Sequence, residues 1–113
     1  MKSHFLTFLF GFMLTVSGQI ALADTQLSEP KPSMDNPRQI VLALNTNDEA
    51  AVNNLLFNVV NIQKFYGQEN VEIAVVGYGA GVRNFLKSDS KVADRIQSLI
   101  LYDVQFVACG NTL

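Results

Sequence analysis

A chain of 113 residues, 49% hydrophobic and 16% charged, has room for one domain at most. Its eight basic and ten acidic residues give a net charge of −2 without a basic block, which excludes an extended phosphate-binding surface and with it a nucleic-acid partner. A single cysteine excludes an internal disulfide, and one cysteine with one histidine excludes a closed zinc site within one chain, although an oligomer could assemble such a site.

The first 23 residues read as a signal sequence. Lys2 and His4 make a weak basic start, Phe5 to Val16 is an apolar run interrupted by Gly11 and two threonines, and Ala21-Leu22-Ala23 fits a small-x-small cleavage site. The run is short for a membrane span of ~20 residues, and only its extension to Ala23 would make an anchor. Cleavage before Asp24 removes Lys2 and the only histidine, so the eight basic residues become seven against ten acidic ones and the net charge falls to −3. The expected location is the periplasm or the medium, with no membrane attachment after cleavage.

Residues 24–38 are polar and carry Pro30, Pro32 and Pro37 without periodicity, the pattern of a flexible linker. The folded domain is expected over 39–113. Ile40 to Leu44 is a continuous apolar run, which predicts a central strand covered on both faces. Thr46-Asn47-Asp48-Glu49 has the spacing of a capping box. A helix is expected from about Asn47 to Tyr66, with Ala51, Leu55, Val59, Ile62 and Tyr66 on its apolar face and Gly67 as C-cap. Asn54, Asn58 and Asn61 form a polar stripe beside that face, read as a solvated or subunit-facing side.

A second strand follows from Asn70 or Val71 to Val76, with Val71, Ile73 and Val75 on one face. Strand, long helix and strand in this order predict a right-handed βαβ unit with parallel strands. Gly77-Tyr78-Gly79-Ala80-Gly81 resembles a nucleotide loop only superficially, since its spacing is not G-x-G-x-x-G, and no cofactor is expected. Val82, Phe85 and Leu86 suggest a short helix. Ser88-Asp89-Ser90 can cap another, in which Val92, Ile96, Leu99 and Ile100 keep helical spacing. Lys87, Lys91 and Arg95 are read as charge on the solvent side.

After a turn at Tyr102-Asp103, Val104 to Ala108 predicts a third strand ended by Cys109-Gly110-Asn111-Thr112. Cys109 is thereby placed at the carboxyl edge of a parallel sheet, where open α/β folds put their ligand sites. A helix starting at Asn111 or Thr112 would bring free N–H groups towards the sulfur and favour the thiolate. A buried cysteine used as a small hydrophobe explains the same residue without chemistry.

Taken together, Asn61 and Gly67, the stretch from Val71 to Val82 and above all Val104-Gln-Phe-Val-Ala-Cys-Gly-Asn-Thr-Leu113 resemble the DsrE/DsrF-like family of small sulfur-relay proteins. The resemblance covers about residues 40–113. It implies a compact α/β fold with a small, open, mostly parallel three-stranded sheet flanked by helices, and self-assembly into a homo-oligomer. It also implies that Cys109, the one residue at the matching position, accepts sulfur as a persulfide from a donor protein and passes it to an acceptor protein. Two departures stand out: Asp103 occupies a position where relatives often carry glycine, and family domains usually run on beyond Leu113, so a truncated domain is expected. The alternative is a non-enzymatic, oligomeric accessory domain with a structural cysteine, including an inactive truncated member. No metal ligand set is expected, and the absence of histidine after cleavage excludes a Cys-His catalytic pair.

Overall fold

The computed structural model describes residues 26–86 and 88–110. The expected signal sequence, Lys87 and the Asn111-Thr112-Leu113 end lie outside the described residues. Three strands, β1 (Arg38–Leu44), β2 (Val71–Gly77) and β3 (Gln105–Ala108), form one parallel sheet in the order β1-β2-β3. Helix α1 (Glu49–Tyr66) connects β1 to β2, and helix α2 (Ala93–Leu101) connects β2 to β3.

Both helices pack on the same face of the sheet. Val52, Leu56 and Val59 of α1 and Ile96 and Leu99 of α2 share one buried cluster with Leu44, Val71, Ile73 and Val75. The registers Ile40–Ile73 and Leu42–Val75–Phe106 place the inward residues side by side across the strands. Fully burying a side chain such as Leu56 contributes about 1.5–3 kcal/mol, so this cluster supplies most of the stability. The geometry follows from the topology: consecutive parallel strands added in one direction by crossovers of one hand carry both helices on one side.

The period-2 pattern of β2 is as expected, with Val71, Ile73 and Val75 buried. The expectation for β1 is corrected. Among the described residues it is an edge strand covered on one face only, with Ile40, Leu42 and Leu44 turned towards the helices and Val41 68% exposed. A run of five apolar residues reads as doubly covered, but the alternation is hidden when both faces carry apolar side chains.

The start of α1 is corrected as well. Asp48, not Thr46, is the N-cap, and its carboxylate accepts from the Ala51 N–H. The Thr46 hydroxyl instead accepts from the Asp48 N–H at 3.1 Å, holding the turn that precedes the helix. The buried stripe of α1 is centred on Val52, Leu56 and Val59, with Leu55, Val60, Ile62 and Tyr66 at its margins, whereas Ala51 is exposed. Gly67 ends the helix at φ 89°, a conformation that disfavours any side chain. Val82 and Phe85 belong to a 3-10 segment, Gly79–Phe85, rather than an α-helix. The Ser90 hydroxyl accepts from the Val92 N–H ahead of α2.

Residues 26–37 contain local structure of their own. Ser33 and Asn36 exchange backbone hydrogen bonds, and Arg38 Nη2 donates to the carbonyls of Ser28 and Pro30.

Candidate functional site

The carboxyl ends of the three strands converge on one edge. β1 runs out at Leu44 into Asn45-Thr46 and the capped start of α1, β2 runs out at Gly77, and β3 delivers Cys109. The ladder between β2 and β3 is extended by one bond, in which the Cys109 N–H donates to the Gly77 carbonyl at 2.8 Å. That bond fixes the backbone of the one free cysteine, whose side chain is half-buried. It also commits the cysteine's own amide to the sheet. The helix expected at Asn111 or Thr112, and the N–H groups it would offer, lie outside the described residues.

The glycines at and after the end of β2 have packing reasons. A Cβ on Gly81 would overlap the Leu44 carbonyl, so only glycine lets this segment lie against the end of β1. A Cβ on Gly77 would lie 2.5 Å from the Phe85 ring, which folds over the end of β2 and meets Phe106 edge-on with centroids 5.9 Å apart. The Tyr78 N–H donates to the Leu44 carbonyl and the Gly81 N–H to the Tyr78 carbonyl, closing the turn. Tyr78 itself is 42% exposed at the edge.

Asn84 is the residue that sequence reasoning missed. It is 5% exposed and polar, and its Nδ2 donates to the Thr46 carbonyl at 2.8 Å and to the Gly81 carbonyl at 3.0 Å. Both partners can only accept, so the amide nitrogen has to face them. An asparagine between Arg83 and Phe85 looks like any loop residue, and no spacing rule marks it. The singled-out Asn54, Asn58 and Asn61 are exposed on α1, in keeping with a solvated side.

A cleft of about 260 Å³ flanks this edge, with Asn84, Leu86, Ile96, Ile100, Phe106 and Ala108 among its walls. It lies between α2, residues 84–86 and the helix-facing residues Phe106 and Ala108 of β3, and Cys109 itself is not part of its wall. A groove of about 510 Å³ lies on the helix-free side of the sheet, with Met34, Pro37, Val41, Glu72, Ala74 and Gln105 among its walls. Arg95 does not contribute to a free positive surface. Its guanidinium stacks on the Phe57 ring at 4.5 Å and donates to Asn53 Oδ1, joining α2 to α1.

The pattern of the DsrE/DsrF-like family matches residues 19–113. Among solved structures, a protein of unknown function from Methanobacterium thermoautotrophicum is similar, with 36% sequence identity and a TM-score of 0.61. The match covers 67% of this chain and 66% of that one. No curated protein matches the chain.

Proposed function

The chain belongs to the DsrE/DsrF-like family, and on that premise we propose that it is a thiol-based sulfur carrier, loading sulfane sulfur on Cys109 and handing it to a partner thiol. What carries this is the position of Cys109: the one cysteine of the chain follows the last strand directly, is partly open, and has its backbone fixed on Gly77. The Cys109 thiolate attacks the outer sulfur of a persulfide donor. The donor S–S bond breaks, the donor thiolate leaves with the bonding pair, and a new S–S bond forms at Cys109 Sγ. Delivery is the same exchange in reverse, on an acceptor thiolate, so no outside oxidant or reductant is required.

The same proposal places the protein in the periplasm or the medium and makes its donor and acceptor other proteins. Self-association is part of it, because a parallel sheet is stable when both faces are covered and here one face has no helix over it among the described residues. The competing reading is an accessory domain whose cysteine only packs, for which partial burial of Cys109 speaks. Thiol labelling of native protein separates them. A carrier is modified within minutes near neutral pH, whereas a packing cysteine reacts only after unfolding, and that second outcome would remove the carrier reading.

A further inference from the structure

We propose that Asn84 is a positioning residue for the Cys109 thiol, a role that rests on the carrier reading above. The side chain sits between two loops. Through Nδ2 it holds the Thr46 carbonyl, after β1, and the Gly81 carbonyl, after β2. From each of these a short chain of bonds leads on. Thr46 Oγ1 accepts from the Asp48 N–H, and Asp48 caps α1 through the Ala51 N–H. The Gly81 N–H is bonded to the Tyr78 carbonyl and the Tyr78 N–H to the Leu44 carbonyl, while the adjoining Gly77 carbonyl receives the Cys109 N–H. Asn84 and Ala108 wall the same cleft, so the asparagine faces the end of β3 across it.

A buried amide that donates twice to carbonyls of separate loops is an expensive group to leave unpaired. Removing the donors releases Gly81 and leaves the Tyr78 N–H to Leu44 carbonyl bond as the remaining tie of the turn to the end of β1, so the turn and the Gly77 peptide that leads into it loosen. The carbonyl that anchors Cys109 moves with them. Sulfur exchange requires the attacking sulfur in line with the donor S–S bond, so an unanchored Cys109 reacts more slowly although its own side chain is untouched.

Asn84→Asp removes the donors while keeping the shape, Asn84→Ala removes both, and Asn84→Ser returns one donor. Hydrogen exchange is read at the Cys109 amide and, as reference, at the Val75 and Val59 amides of the core. Sulfur uptake is followed by intact mass with a small persulfide donor. The expected result for Asp and Ala is a loss of protection at Cys109 of about tenfold beyond any loss at the core, with uptake slowed in the folded protein and unchanged in denaturant. Ser is expected to recover part of both. Equal losses at Cys109 and the core, or no loss at Cys109, would overturn the proposal. Should the variants fail to fold, native-state exchange of the unaltered protein decides: the amides of Tyr78, Gly81 and Cys109 are expected to open as one unit, and independent opening of Cys109 would overturn it. If the amides are linked but wild type takes up no sulfur, the carrier reading fails while the structural link stands.

Discussion

The two faces of the sheet carry similar residues and have opposite fates. On one, Ile73 and Val75 of β2 lie beneath Leu56 and Val59 of α1 in a sealed cluster. On the other, Val41 stands beside Ala74 and Ala43 beside Val76 and Val107, with no helix over them among the described residues and Val107 45% exposed. Residue type alone does not separate these faces. The difference arises because both crossovers leave from the same side, so topology, not hydrophobicity, decides which valines are buried.

The largest expected effect lies on the covered face. Leu56→Ala should lower unfolding free energy by about 3 kcal/mol through lost burial and a cavity, read from the urea midpoint. At the carboxyl edge, Gly81→Ala forces a methyl group onto the Leu44 carbonyl. A loss of about 2 kcal/mol is expected there, together with faster exchange at the Tyr78 amide. On the open face, Val41→Thr keeps the β-branched shape and should change the stability of the dilute protein by less than about 0.5 kcal/mol. In concentrated protein the same substitution should shift sedimentation towards smaller species. A stability loss as large as that of Leu56→Ala at every concentration would mean that the face is buried within the monomer.

One substitution is expected to give a gain. Asp103 has φ 69°, the left-handed region where a side chain is strained. Its carboxylate accepts from Gln68 Nε2 at 3.3 Å, a long bond on the surface. Asp103→Gly should therefore raise stability by about 0.5 kcal/mol, relief of strain outweighing the lost bond, as a small rise in the thermal midpoint.

The parts of the fold visible in the sequence are those encoded by local periodicity. β2 shows Val71, Ile73 and Val75 at every second position with Glu72 between them, α1 and α2 show helical spacing, and the last strand shows a β-branched and aromatic run that stops at Cys109-Gly110. The edge position of β1 was not visible, because Val41 and Ala43 are apolar whether or not anything covers them. Thr46 and Asp48 are both good caps, and choosing between them depends on which backbone turns first. The place of Cys109 was legible, because a β-branched and aromatic run ending at the one cysteine predicts a strand end, and the structure puts it directly after β3. Asn84 was not, since its partners are carbonyls 3 and 38 positions away along the chain and nothing in its neighbours signals burial.

The central claim is that Cys109, at the carboxyl edge of the sheet, accepts a sulfane sulfur. Intact-mass measurement of the folded protein after exposure to a small persulfide donor tests it most directly, with Cys109→Ser as control. The account predicts a gain of one sulfur atom, about 32 Da, on wild type, removed by a thiol acceptor and absent from the serine variant. No gain on folded wild type, or an equal gain on Cys109→Ser, would contradict it.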